Sequence, residues 1–308
     1  MSVPGWGEYR LSGRRDCSRR SFLCVDLALA VDIGGTKLAA GVVDEGGRLL
    51  EHSTVPTPAT NDGEELLAAL VELIAPFRPG ASVVGVGCGG PMTRGGELVS
   101  PLNIAAWRDF PLRPRLSEVT SLPAFVDNDA KALALGEGWK GAARGVSDYL
   151  AMVVSTGVGA RIVLDGVLLQ GAADNAGHIG HLIVEPSGRR CACGARGCLE
   201  AEASGTAIAA VTGRPPADAR PDVVERCGRL VGRAVASVAN LLDLRLAVVG
   251  GSVALGFGEP FFRAAGAELD DRARISFARG ARIVPVGLGA AGPLVGAARV
   301  GFLGLGGR

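Results

Sequence analysis

Aromatic side chains are scarce in this sequence, with two tyrosines, three tryptophans and nine phenylalanines among 308 residues. A buried core must therefore be assembled mainly from Val, Leu, Ile and Ala. An excess of charge is missing as well: 32 basic residues stand against 31 acidic ones, for a formal net charge of +1. That balance leaves no electrostatic footprint for nucleic acid or for an anionic membrane surface. No apolar run reaches the roughly 18–20 residues that span a bilayer. The stretch Phe22 to Val31 follows a basic segment, as a secretion signal would. Asp26 and Asp32 interrupt it, however, and no small-residue cleavage site follows. A cytoplasmic protein is expected. An even disulfide framework is also lacking. Of seven cysteines, Cys191, Cys193 and Cys198 cluster while Cys17, Cys24, Cys88 and Cys227 are scattered, which argues for metal binding.

Glycine, by contrast, is abundant at 47 residues. It is costly inside helices and strands, so this many points to tight turns and close backbone approach to ligands. Residues 1–26 show no apolar periodicity and read as a disordered extension. From Leu27 the pattern becomes strand, glycine turn, strand, glycine turn, strand, ending near His52. Helical spacing over Glu64 to Phe77 and a short strand over Ser82 to Val86 follow. Tyr149 to Leu169 repeats the strand-turn-strand-turn-strand pattern, which suggests duplicated domains facing one another. Pro221 to Leu242 predicts a long helix, Leu246 to Val249 a strand, Pro260 to Ala273 a helix, Arg282 to Val286 a strand, and Gly292 to Val300 a last helix. Strands alternating with helices give an α/β architecture.

Two glycine turns carry a chemical signal. Asp32-Ile33-Gly34-Gly35-Thr36-Lys37 ends a strand, and its glycines let backbone N–H groups approach phosphate oxygens. Asp32 would stand near the hydration shell of a Mg²⁺ ion, with the Thr36 hydroxyl and Lys37 ammonium as further donors. Thr156-Gly157-Val158-Gly159 offers an equivalent turn from the other half. Either alone reads equally as a plain hairpin, and the pair in matching positions shifts the balance toward phosphate. There is no Walker A loop. Gly34 and Gly35 lead into a strand rather than a helix, which excludes a dinucleotide fingerprint.

His181, Cys191, Cys193 and Cys198 supply one imidazole and three thiolates, the closed set of a structural Zn²⁺. The competing reading is a group of buried cysteines beside a core histidine. Ligand number, type and spacing favour the metal.

Over residues 28–300 the sequence resembles the ROK family (repressors, open reading frames and kinases). The resemblance is carried by Asp32 to Lys37, by Asn128-Asp129-Ala130, and by Gly177-His178-Ile179-Gly180-His181 with the cysteine segment through Glu200. It implies an actin-like (ribonuclease H-like) fold of two duplicated α/β domains, with a hexose and ATP in the cleft between them. The expected division is a small domain over 27–128, with helix 292–304 packing back on it, and a larger domain over 129–291 carrying the zinc loop 177–200. The resemblance implies Asp129 as the general base for the attacking sugar hydroxyl. Without the surrounding motifs, Asp129 would read as the cap of the helix through Leu133 to Trp139. It further implies sugar contacts from Asn103, Asn128, Asp129, His181 and Glu200, a sugar-lining segment at Cys88 and Gly90, and an adenosine turn at Gly250 and Gly251. A homodimer is also compatible with it.

Three departures stand out. His178 occupies a position where most family kinases have a sugar-binding glutamate. Arg161 stands where the second phosphate turn usually has glycine, placed to contact phosphate or to crowd the nucleotide. Lys131 replaces a common asparagine. The expected activity is an ATP-dependent, Mg²⁺-assisted hexose kinase, most simply a glucokinase, with N-acetylmannosamine, N-acetylglucosamine, mannose or a cyclitol as other acceptors. A sugar-binding protein with weak catalysis is the runner-up. A sugar-sensing repressor would need a winged helix-turn-helix ahead of Leu27, which 26 residues without helical spacing are not expected to form.

Overall fold

Leu27–Ile33, with the sequence LALAVDI, forms the first strand, β1, and is buried over almost its whole length. A strand covered on both faces reads as a continuous apolar run rather than an alternating one. The computed structural model describes residues 26–172 and 175–306. The extension expected over 1–26, with Cys17 and Cys24, lies outside the described residues except for Asp26.

β1 pairs antiparallel with β2 (Lys37–Asp44), and β2 pairs with β3 (Leu49–Pro56), whose side chains are mostly exposed as befits an edge strand. On the other side β1 pairs parallel with β4 (Ala81–Cys88), and β4 with β5 (Ala124–Asn128). The sheet order is β3-β2-β1-β4-β5. One face packs on α1 (Gly63–Ile74), α2 (Leu112–Thr120) and the loop between β4 and α2, through Leu29, Val31, Leu66, Leu70, Trp107 and Leu116. Trp107 is wholly buried, stacks on Phe110 at 4.8 Å and donates its indole N–H to the Gly63 carbonyl.

The opposite face carries α9 (Gly292–Gly306), which also packs on α3 (Asp129–Lys140). These contacts need bare backbone. A Cβ at Gly85 would lie 2.0 Å from the Ala297 carbonyl oxygen, and one at Gly296 would lie 2.3 Å from that of Ala132. Through α9, helix α3 belongs to this first unit. The chain divides after Gly141, later than the boundary expected at residue 129, and returns at Ala290.

The second unit, Ala142–Gly289, repeats the topology. β6 (Tyr149–Val154), β7 (Val158–Leu164) and β8 (Val167–Leu168) form an antiparallel meander. β9 (Leu246–Gly250) and β10 (Arg282–Pro285) extend the sheet in parallel from β6, giving the order β10-β9-β6-β7-β8. Three antiparallel strands followed by two parallel ones thus occur in both units, although their residues hardly match. Helices α4 (Leu199–Ala203), α5 (Gly205–Thr212), α6 (Pro221–Leu242), α7 (Ser252–Phe257) and α8 (Glu259–Arg272) surround this sheet. Helix α6 has the predicted bounds, because Pro221 suits a first helical turn and the apolar stripe then runs unbroken. No helix among the described residues is long and apolar enough to cross a membrane.

Candidate active site

In the first unit the singled-out residues gather where three parallel strands end. The register sets Ile33, Cys88 and Asn128 side by side, with Asp32, Gly87 and Asp127 one step behind. Carboxyl ends of parallel strands are where open α/β sheets bind ligands, because backbone and helix N-termini converge there. The turn after β1 is narrow: Gly34 N–H donates to the Lys37 carbonyl at 3.0 Å, and the Thr57 hydroxyl donates to the Gly34 carbonyl at 2.7 Å. Gly35, Thr36 and Lys37 are exposed on it. A Cβ at Gly35 would fall 2.6 Å from the Asn103 Cβ, so glycine is what lets Asn103 reach the turn. The loop bearing Asn103 is held by buried Ile104 and Trp107. Gly90 lies against Asn128, whose amide nitrogen would be 3.6 Å from a Cβ there.

Asn128, rather than Asp129, has the N-cap conformation of α3, its side chain accepting from the Ala130 N–H at 3.2 Å. Asp129 occupies the first helical position and also accepts from Ala130 N–H, at 2.8 Å. Asp32 and Asp129 flank Gly87, whose missing Cβ would be 3.7 Å from Asp32 Oδ1 and 3.9 Å from the Asp129 Cα. Burial, and then the Asp129 carboxylate, raise the Asp32 pKa to about 6, with Lys37 offsetting them only in part. Burial and the same two carboxylates push the Cys88 thiol up as well. This concentration of negative charge suits a divalent cation or abstraction of a hydroxyl proton. Buried Lys131 turns back to Asp127, with its Nζ 3.1 Å from Oδ1, and so braces the same segment.

In the second unit the turn between β6 and β7 is Ser155-Thr156-Gly157, shorter than the glycine pattern suggests, because β7 already begins at Val158. Arg161 is accordingly not in the turn. It is the fourth residue of β7, buried, with Nη1 donating to the Ala160 carbonyl at 2.8 Å. The turn is tied to two helix starts. Thr206 N–H and hydroxyl donate to the Thr156 carbonyl, and the Ser155 and Ser252 hydroxyls meet at 2.8 Å. Gly251, at φ 95°, abuts the end of β6, where a Cβ would be 2.3 Å from the Val154 carbonyl oxygen. Beside these groups opens a cavity of about 560 Å³, a size usual for small-molecule sites. Thr156, Thr206, Pro215, Pro216, Val253 and Phe257 line it. Of these only Thr156 was legible beforehand, since an apolar wall built from separate helices leaves no local motif.

His181 Nδ1, Cys191, Cys193 and Cys198 bring their donor atoms within 4.8 Å of one another. Two of the separations, Cys191 Sγ to His181 Nδ1 and Cys193 Sγ to Cys198 Sγ, are both 3.7 Å. A tetrahedral ZnS₃N centre has edges of about 3.8 Å between sulfurs and about 3.6 Å from sulfur to nitrogen, so the four groups fit such an ion. The loop is tight behind them. Gly197, at φ 73°, passes so close to Glu185 that a Cβ would be 1.6 Å from its carbonyl oxygen. Buried Glu202 holds the loop through Arg189 and Arg226, at 3.0 and 2.6 Å.

Next to this cluster, the His178 and His181 rings lie 6.3 Å apart and nearly parallel. Burial, then the Arg161 cation and His181, push the His178 imidazole below its usual pKa, against the pull of Glu200. Glu200 Oε2 accepts the Val158 N–H at 3.0 Å.

The sequence profile of the ROK family matches residues 28–300. An N-acetylmannosamine kinase from Citrobacter koseri is 40% identical over 246 residues, covering 75% of this chain and 84% of that protein. The ROK hexokinase of Thermus thermophilus superposes with a TM-score of 0.77 at 34% identity, over 92% of this chain and all of that one. A ROK glucokinase from Streptomyces griseus, solved with glucose and AMPPNP, gives 0.76 at 31% identity, over 90% of this chain and 99% of that one.

Proposed function

The chain belongs to the ROK family and has its actin-like fold, and on that premise we propose that it is an ATP-dependent sugar kinase whose acceptor is N-acetylmannosamine. The observation that carries the kinase reading lies within the first unit. Gly35 of the turn after β1 touches Asn103, on the same sheet end as the Asp32–Asp129 pair. That grouping supports a phosphate cradle, a sugar contact and a base at one set of strand ends.

Asp129 takes the proton of the acceptor hydroxyl as that oxygen attacks the γ-phosphorus, and ADP leaves. A base in this role must lie within hydrogen-bond reach of the hydroxyl. Within the first unit Asn103, Asn128 and Gly90 are the groups that bind sugar hydroxyls; within the second unit that role falls to His178, His181 and Glu200. The turn Gly34 to Lys37 would hold phosphate oxygens, and Asp32 would hold Mg²⁺. Bound Mg²⁺ supplies the positive charge that phosphoryl transfer requires. Thr156 and Gly157 form the phosphate turn of the second unit. Gly250 and Gly251 form the adenosine turn beside the 560 Å³ cavity. His181, Cys191, Cys193 and Cys198 would hold a Zn²⁺ ion whose part is to brace the loop rather than to activate water.

N-acetylmannosamine is favoured by the Citrobacter koseri kinase, by further N-acetylmannosamine kinases at 37–38% identity, and by His178 in place of a glutamate. Glucose is the second reading, favoured by the hexokinase and glucokinase structures. A coupled assay for ADP release with N-acetylmannosamine, N-acetylglucosamine, mannose and glucose decides between them. The highest kcat/KM should be for N-acetylmannosamine. A higher value for glucose would reverse the choice of acceptor, and no release with any sugar would remove the kinase reading.

A further inference from the structure

The two departures in the second unit, His178 and Arg161, are neighbours in the fold. Residues 177–180 run directly over β7. A Cβ at Gly177 would meet the Arg161 Cα at 3.1 Å, and one at Gly180 would meet the Val158 carbonyl oxygen at 2.2 Å. His178 lies between those two contacts, with Arg161 beside it at 3% exposure. Compared with a glutamate over a glycine, this part of the loop exchanges a carboxylate for an imidazole backed by a guanidinium.

We infer that His178 and Arg161 together select an acceptor bearing an acyl oxygen: His178 donates a ring N–H to that oxygen, and Arg161 acts through His178 as a positioning residue. The inference rests on the N-acetylmannosamine reading. A carboxylate only accepts hydrogen bonds and so matches the hydroxyl donors of an unsubstituted hexose, whereas an imidazole ring carries an N–H that it can donate. The guanidinium is permanently charged and here is removed from solvent screening. Its field draws electron density of the ligand toward the imidazole N–H, which a carbonyl oxygen satisfies better than a hydroxyl. The ligand class is a 2-acylamino hexose.

N-acetylmannosamine and mannose differ only in an acetamido against a hydroxyl group, so the ratio of their kcat/KM values reads the selection. The wild-type ratio tests the acceptor reading, and a value below one removes both. The variant ratios test the inference separately. His178→Glu and Arg161→Met should each lower the ratio about tenfold or more, the scale on which one polar contact discriminates substrates. His178→Gln, which keeps an N–H, and Arg161→Lys, which keeps the charge, should stay within about threefold of wild type. Zinc content equal to wild type identifies variants whose loop is intact. Equal ratios for His178→Glu and His178→Gln would overturn the inference even if Arg161→Met did not fold. An unchanged ratio in zinc-loaded Arg161→Met would overturn the part assigned to Arg161.

Discussion

Glu200 Oε2 accepts the backbone N–H of Val158 at 3.0 Å, which joins the start of α4 to the first residue of β7. Gly157 permits the approach, since a Cβ there would be 2.9 Å from the same oxygen. A residue expected to face only the sugar thus also shapes the turn expected to face phosphate.

Glu200→Ala should therefore raise KM for both ATP and sugar, because the Val158 N–H loses its partner. Glu200→Gln keeps an acceptor and should raise mainly the sugar KM. Initial-rate kinetics with each substrate varied separates the two patterns. An unchanged ATP KM in Glu200→Ala would show that the turn does not depend on this bond.

Asp129→Asn should lower kcat by about 10²–10⁴-fold, the usual contribution of a general base, while leaving sugar affinity within a few-fold. The amide is isosteric and can still accept the Ala130 N–H. Calorimetric titration with sugar and a turnover assay on the same sample check both halves. Near-normal turnover would place the base elsewhere.

Cys193→Ser should release the metal. Cys193 is the exposed thiol of the cluster, so its loss opens the site without leaving a large cavity. Elemental analysis should find one zinc per wild-type chain and little in the variant. The sugar KM should rise as the loop carrying His178 and His181 loosens. Freshly purified wild type without zinc would contradict the assignment.

Asp32 should make stability fall as pH rises. Its folded pKa of about 6 lies above the ordinary aspartate value of 3.8. Between those values the folded state binds the extra proton, so stability is greatest below about 4 and is lost as pH passes through 6. Asp32→Asn removes this penalty. Without Mg²⁺ or nucleotide it should melt a few degrees above wild type at pH 7.5, the shift expected for about 3 kcal/mol, and the gap should close toward pH 4. A constant gap would mean that Asp32 is not raised.

Much of the fold was legible because its determinants are local. Helix α6 shows its bounds in the proline at its start and the unbroken apolar stripe after it. The two meanders show theirs in glycine turns. Short β5, and α2 with Pro114 inside it, escaped detection because their stability comes from burial against the sheet rather than from their own pattern. That helix α3 groups with the first unit is not legible locally, since its attachment to α9 depends on a glycine more than 160 residues away.

The Cys₃His group, the two glycine turns and the Asn128-Asp129 segment are legible in the sequence itself, because residue type and spacing suffice to specify a donor set or a bare-backbone turn. Only the tertiary structure decided that Asn128 rather than Asp129 caps α3, that Asp32 and Asp129 share one charged recess, and that Arg161 stands beside His178 instead of in a turn. Those outcomes depend on which distant strands pair and how closely their backbones approach. Pair register and interior electrostatics are properties of packed neighbours, which no stretch of chain carries alone.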